Sequence, residues 1–364
     1  MKSRGTKKAN VTIRDVAKAS GFSASTVSIV LNNAPLARYI PLPTKSRIQK
    51  AAKDLGYHPN IFAKSLRSKR NHTVGVMLFD ITDPYCAPIL RGIENSLYQA
   101  SYLSILTDSH NERSRFERYL EMLLERRVEA LIVLANWLVL DINLLADLEK
   151  PEIPTVIIGR DLQSNSTSSV IVDDEGGGYA AVAHLYALGH RKIAFVRGPK
   201  ALSSGKNRWH GVQRFVRDAG LQLDDRLIMD LPDQLSPNMG VDDAYRMTQE
   251  LLMRKRPFTA LMAYDDMTAF GAVRALAKAG LKVPESCSVI GFDDVTPSAL
   301  FVPALTTVRQ PMESMGAAAV NIVVDCINSA AENRKTSAVH RKLPSELVVR
   351  ESTRAVPSTA RTRS

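Results

Sequence analysis

From Thr73 onward the chain alternates short, β-branched apolar runs with longer stretches of helical spacing, and it does so in two successive cycles. This alternation constrains the fold more than any other feature, because strands linked through intervening helices build parallel sheets. The first cycle offers buried strands at 74–79, 103–107, 130–134 and 155–158, with helices expected over 88–100, 113–126 and 142–148. The second offers strands at 193–197, 227–230, 260–263 and 289–291, with helices over 177–188, 206–219, 240–254 and 267–279. Two cycles imply two lobes with a cleft between them, and open parallel sheets bind ligands beyond the carboxyl ends of their strands.

Charge separates the first 70 residues from this body. They hold 15 Lys/Arg against only Asp15 and Asp54, whereas the rest of the chain carries 33 basic and 35 acidic groups. A basic head on a near-neutral body points to a polyanionic partner. Nucleic acid is favoured over an anionic membrane, because the head lacks a continuous basic amphipathic helix with aromatic anchors. No run approaches the ~18 apolar residues of a spanning helix. Met1 to Asn10 is polar and basic and resembles no secretory signal. Cys86, Cys287 and Cys326 are far apart, which argues against a disulfide scaffold or a zinc site. These readings lead us to expect a cytoplasmic protein without a metal or cofactor.

Within the head, Thr12-Ile13-Arg14-Asp15 is a hydroxyl cap followed by a carboxylate three residues on. Ile13, Val16 and Ala17 form an apolar face that Gly21 ends, and Ser23 can cap a second helix whose face is Val27, Val30 and Leu31. Two short helices around a glycine turn make a helix-turn-helix. A third helix is expected over Thr44–Leu55, capped by Thr44, with Ile48, Ala51, Ala52 and Leu55 inside and Lys45, Arg47, Lys50 and Lys53 outside. Ile61 to Arg67 could add one or two helical turns, too few to be stable alone in water.

The stretch Val11-Thr12-Ile13-Arg14-Asp15-Val16-Ala17-Lys18-Ala19-Ser20-Gly21-Phe22-Ser23, with Ser25-Thr26-Val27-Ser28 and Val30-Leu31-Asn32-Asn33, resembles the start of LacI/GalR-type bacterial repressors. So does Leu55-Gly56-Tyr57, with Pro59-Asn60 and Ala63-Lys64-Ser65-Leu66-Arg67. The resemblance implies a second helix that reads the major groove and a hinge helix that enters the minor groove, with a leucine wedging a base step open. Carried over, it gives base-reading positions to Ala24, Ser25 and Ile29, and phosphate-holding or buttressing positions to Thr26, Ser28 and Asn32. Thr12 joins this DNA-facing set, while Ala63, Lys64, Leu66 and Arg67 match the hinge, with Leu66 as wedge. Two departures stand out. Ile29 replaces a frequent Arg or His, so a thymine methyl is a more suitable target than guanine. The connection 34–43 is about three residues longer than usual and holds three prolines.

The resemblance continues through Leu90-Arg91-Gly92-Ile93-Glu94, Leu188-Gly189-His190-Arg191-Lys192-Ile193-Ala194-Phe195, Asn207-Arg208 with Gly211, and Ile290-Gly291-Phe292-Asp293-Asp294. It implies an all-α helix-turn-helix head plus an α/β body of two parallel-sheet lobes of periplasmic-binding-protein type. Effector contacts are then expected at Tyr85, Ser204, Arg208, Leu235, Asp265 and Asp293, with Arg208 and Asp293 orienting a polyhydroxylated ligand. Asp265 stands where many relatives have Asn, and Gly159 where many have Asp.

Enzyme motifs are missing or misspaced. The 198–207 segment has six residues between its glycines where a phosphate loop needs four, and neither H-E-x-x-H nor G-x-S-x-G occurs. The Gly176-Gly177-Gly178 run suits close helix approach, and most of the five Asp-Asp pairs suit helix starts. The expected organisation is a DNA-binding head at 1–58, a hinge and linker at 59–72, an effector-binding and dimerisation body at 73–351 and a disordered tail at 352–364. The expected function is a homodimeric, non-enzymatic repressor that binds a near-palindromic double-stranded DNA operator and answers to a small effector, a sugar. The competing reading is a cytoplasmic small-molecule-binding protein whose head only localises it or associates with RNA.

Overall fold

In the computed structural model, Thr12 and Asp15 close a reciprocal capping box: the Thr12 N–H donates to Asp15 Oδ2 at 2.8 Å, and the Asp15 N–H donates to Thr12 Oγ1 at 3.4 Å. The structure describes residues 11–32, 34–57, 70–135, 153–160, 166–233, 239–334 and 336–356. Two units divide between Asn71 and His72. In the first, helices α1 (Ile13–Ser20) and α2 (Ala24–Leu31) flank Gly21, which ends α1 at a φ of 75° that a side chain would resist. Ser23 caps α2 by accepting the Thr26 N–H at 3.1 Å, a bond worth about 1 kcal/mol. Val16, Val27, Val30, Ile48 and Ala52 form the small core that the helical spacing requires.

Helix α3 runs Leu42–Asp54 and so starts earlier than expected. Pro41 occupies the cap position and Pro43 the first turn, where a missing N–H breaks no helical bond, so Thr44 is not the cap. Leu55, expected on the inner face, is instead exposed just past the helix end. The long connection before α3 forms a single 3-10 turn, Pro35–Tyr39.

The second unit holds two six-stranded sheets. The first orders its strands β11-β5-β4-β3-β1-β2, from β1 (Thr73–Leu78), β2 (Leu103–Asp108), β3 (Ala130–Leu134), β4 (Thr155–Ile158), β5 (Ser168–Val172) and β11 (His340–Leu343). The second orders β12-β10-β9-β8-β6-β7, from β6 (Ile193–Arg197), β7 (Ile228–Asp230), β8 (Ala260–Ala263), β9 (Ser288–Asp293), β10 (Thr306–Arg309) and β12 (Glu346–Val348). Every pairing is parallel except β10 with β12. Central strands such as β3 are buried along their whole length, which is why they read as unbroken apolar runs. The helices are α4 (Cys86–Gln99), α5 (Arg113–Glu125), α6 (Asp174–Ala187), α7 (Ser203–Ala219), α8 (Met239–Met253), α9 (Asp266–Lys278), α10 (Thr296–Leu300) and α11 (Met312–Ala331).

The lobes are not simply successive halves of the chain. After β10 the chain returns to the first lobe as α11, which packs on α4 and on β3 to β5, and it adds β11 before returning to the second lobe as β12. Helix α11 buries Met312, Met315, Val320, Ile322, Val323 and Ile327 together with Gly316, Ala318 and Ala319, the small residues that let helices approach closely. A Cβ on Gly92 of α4 would collide with the Glu313 carbonyl oxygen. Helix α11 is long and apolar enough to cross a membrane, but it lies in the first lobe's core. Strands β5, β10, β11 and β12 leave little trace in the sequence because Ser, Thr or charged residues cut their apolar runs short.

The tail boundary at 352 also needs correcting. Ser352 is fully buried: its carbonyl accepts the Val289 N–H at 2.8 Å and its hydroxyl donates to the Val289 carbonyl at 2.6 Å. The Val356 N–H reaches the Leu188 carbonyl at 2.9 Å, so 352–356 is a strap on the second lobe. The expected helix at 142–148, the hinge positions Ala63, Lys64, Leu66 and Arg67, and Leu235 lie outside the described residues.

Candidate functional site

Three segments carry the chain between the lobes, and the cleft forms where they converge. Its walls include Tyr85 and Gly159 from the first lobe, Ser204, Arg208, Tyr264, Asp265 and Asp293 from the second, and Asp174 and Gln310 at the crossings. They enclose about 570 Å³ of space, counting the open mouth. Arg208 lies one turn into α7 and is only 8% exposed, so it is no surface arginine. Its Nε donates to Asp174 Oδ1 at 2.9 Å, its Nη1 to the Tyr264 carbonyl at 2.7 Å and its Nη2 to Asp293 Oδ1 at 3.3 Å. The guanidinium also lies 3.7 Å from the centre of the Phe292 ring. A fork held on this many sides presents a fixed array of donors.

From Asp293 the network runs on to the first lobe. Gln310 Nε2 donates to Asp293 Oδ1 at 2.6 Å, and the Tyr85 hydroxyl donates to Gln310 Oε1 at 3.2 Å. Asp293 is not a helix cap. It ends β9 at a φ of 113° and Asp294 follows at 58°, backbone that favours glycine and costs on the order of 1–3 kcal/mol per residue. Two arginines hold the turn from behind: Arg309 Nε and Arg350 Nη2 donate to Asp294 at 2.7 and 2.6 Å. Strain held this firmly beside a cleft is a mark of a working site.

Burial pushes the carboxyls of Asp174, Asp265 and Asp293 above the ordinary aspartate range, against the pull of Arg208. Burial also works against the Arg208 charge, but Asp174 and Asp293 outweigh it and raise the proton affinity of the guanidinium. Around one cation, then, stand several carboxyls with little water to stabilise their charge. Asp265 has a second duty, capping α9 by accepting the Thr268 N–H at 2.7 Å. The Ser204 hydroxyl lies 2.9 Å from that of Tyr264.

Of the expected cleft residues, the structure brings together Tyr85, Ser204, Arg208, Asp265 and Asp293. It adds Asp174, Tyr264 and Gln310, which motif reasoning missed. Only Asp174 carried a signal, as a member of an Asp-Asp pair. Gly178 explains part of the geometry, since a Cβ there would collide with the Arg208 carbonyl oxygen. Likewise Gly198, in the segment that superficially resembles a phosphate loop, leaves room for the Tyr264 ring. Buried behind the site, Asp266 accepts the Val295 N–H at 3.0 Å and the hydroxyls of Ser298 at 2.6 Å and Thr307 at 2.5 Å. Burial pushes its carboxyl up to about 7 against those three donors.

On the head, Ser25 and Asn32 are exposed, while Ala24, Thr26, Ser28 and Ile29 are half-buried along α2. The Thr26 hydroxyl lies 2.8 Å from that of Ser23, and Asn32 Nδ2 donates to the Ser28 carbonyl at 2.9 Å. These bonds buttress the two ends of α2. Thr12 is taken up by its capping box.

Residues 12–60 match the bacterial regulatory proteins of the lacI family, and residues 182–353 match a periplasmic binding protein-like domain. The HTH-type transcriptional repressor PurR of Aliivibrio salmonicida is 33% identical over 344 residues, covering 94% of this chain and 98% of the relative. Among solved structures, the lac repressor dimer bound to operator and the anti-inducer ONPF aligns with a TM-score of 0.77 at 26% identity, covering 95% of this chain and all of that one. The transcriptional regulator CelR in its cellobiose complex aligns with a TM-score of 0.69 at 29% identity, covering 94% and 100%.

Proposed function

Because the chain belongs to the lacI family of bacterial regulatory proteins, and is a DNA-binding transcriptional repressor rather than an enzyme, we propose that it works as a homodimer on a near-palindromic operator under the control of a neutral, polyhydroxylated effector. The competing idea of a head that only localises the protein or associates with RNA is not retained. In this reading Ala24, Ser25 and Ile29 face base edges, and Thr12, Thr26, Ser28 and Asn32 face the backbone. Ala63, Lys64, Leu66 and Arg67 form the hinge segment, with Leu66 its wedge. Protein two-fold symmetry then imposes the symmetry of the operator.

One observation supports the effector class: among the described residues that line the cleft, one guanidinium, that of Arg208, stands with the carboxyls of Asp83, Asp174, Asp265 and Asp293. A phosphorylated or carboxylated ligand would meet like charge at short range, whereas sugar hydroxyls can donate to carboxylates and accept from the arginine fork. Tyr85, Ser204 and Leu235 complete the proposed contacts. A ligand that bridges Tyr85 and Arg208 favours one angle between the lobes, which sets the spacing of the paired hinges. The coupling is a reciprocal free energy, typically ~1–3 kcal/mol.

A thermal-shift screen of neutral sugars, their phosphates and nucleobases tests the effector class. Stabilisation by a neutral sugar, with none by its phosphate, is the expected result. Stabilisation confined to phosphates or nucleobases would overturn it. An operator affinity that the stabilising sugar moves in neither direction would overturn the coupling.

A further inference from the structure

The 3-10 turn Pro35–Tyr39 is the least expected part of the head, and its surface is unlike the rest. Leu36, Tyr39 and Leu42 are 59, 70 and 76% exposed, while Ala37 is buried and anchors the turn. The turn is tied directly to α2, since the Ala34 N–H donates to the Ile29 carbonyl at 3.0 Å and the Ala37 N–H to that of Ala34 at 2.7 Å. Three prolines, Pro35, Pro41 and Pro43, restrict the backbone on either side. The Arg38 guanidinium stacks 4.7 Å from the centre of the Tyr39 ring. Between Val16 and Lys53 the chain carries Lys18, Arg38, Lys45, Arg47, Lys50 and Lys53 and no acidic residue. An exposed arginine–tyrosine pair on a proline-restricted turn suits an anionic partner, because less backbone entropy is lost on contact.

We propose that Pro35–Tyr39 is a second DNA-contact element that grips the sugar–phosphate backbone beside the reading helix. Arg38 pairs with one phosphate, its guanidinium plane backed by Tyr39, and the Tyr39 hydroxyl donates to a phosphate oxygen. Leu36 covers the adjoining deoxyribose. The turn positions the head on the duplex without reading bases, because phosphate contacts carry no sequence information. It thereby compensates for Ile29, which cannot make the bidentate contact an arginine would. The proposal rests on the reading of α2 as the groove-facing helix, and its test separates the two.

The experiment uses the full chain, a duplex selected by the protein from a random pool and an unrelated duplex of equal length. Affinities are measured across a salt series with Arg38→Ala, Arg38→Lys, Tyr39→Phe and, as a control on α2, Ser25→Ala. Arg38→Ala should weaken both duplexes by the same factor, about tenfold, and lower the slope of log K against log salt by roughly 0.9. Arg38→Lys should keep the slope, and Tyr39→Phe should weaken both duplexes equally. In ethylation interference, one backbone position per half-site should fall silent in Arg38→Ala. Ser25→Ala should instead weaken the selected duplex alone. If it does not while Arg38→Ala behaves as stated, the reading of α2 fails and the turn's role stands. An unchanged salt slope and interference pattern in Arg38→Ala would overturn the proposal. So would a change of oligomeric state in Tyr39→Ala without a change in salt slope, which would make the patch a protein contact.

Discussion

Replacing Arg208 by Met tests whether the buried guanidinium neutralises the carboxylates around it. Methionine keeps much of the side chain's length and apolar stem but removes the donors to Asp174, Tyr264 and Asp293. Stranding one partner of a buried ion pair costs about 3–5 kcal/mol, and two carboxylates lose their cation here. For a body of this size that corresponds to a fall in Tm of roughly 5–10 °C near pH 8. The orphaned carboxyls would bind protons more tightly in the folded than in the unfolded state, so their penalty disappears below the ordinary aspartate range and grows as pH rises. The deficit should therefore shrink toward pH 5. Asp174→Asn alone should cost little, because it leaves Arg208 paired with Asp293, and combined with Arg208→Met it should recover at least ~2 kcal/mol. Urea titrations of the four proteins at pH 5 and pH 8 give the cycle directly. A pH-independent loss with no recovery in the double variant would refute the electrostatic account and leave Arg208 as packing alone.

Asp266→Asn should flatten the pH dependence of stability. Its folded carboxyl at about 7, against the ordinary 3.8, makes a contribution that is present below about 4 and lost as pH rises through 7, about 4 kcal/mol in all. Equal pH slopes of the urea midpoint in both proteins would contradict this. Truncation after Glu351 removes the Ser352 bonds and the Val356 bond, and should destabilise the body by about 3 kcal/mol or more relative to truncation after Val356, read by thermal unfolding. Gly178→Ala drives a methyl into the Arg208 carbonyl and should cost about 1–3 kcal/mol while weakening the thermal shift given by any effector. Leu66→Ala should reduce affinity for the selected duplex far more than for an unrelated one in gel-shift titrations. Equal loss on both would remove the wedge role.

The relation between sequence and structure differs from element to element. In the head, Thr12 with Asp15, Gly21 and Ser23 act over three or four residues, so their consequences are legible in the chain itself. Thr44 misleads because Pro41 and Pro43 start α3 earlier without any side-chain cap. Central strands β1, β3, β6 and β8 are legible because burial on both faces demands continuous apolar residues. The edge strands β11 and β12 are not, since short polar edges leave no such record.

For the cleft, local sequence and family motifs name Arg208 and Asp293 but cannot place Asp174, 34 residues before Arg208, or Gln310, 17 residues after Asp293, beside them. Their meeting depends on three crossings between the lobes, and the pairing of distant segments is a property of topology rather than of spacing along the chain. The amino-acid order alone thus determined the charged head, its capped helices and the repeated strand–helix rhythm, all of which arise from interactions within a few turns of backbone. The tertiary structure alone decided that α11 returns to the first lobe, that 352–356 is a strap and that several buried carboxyls surround one guanidinium. Desolvation and ion pairing act through space, between residues the chain brings together only by folding.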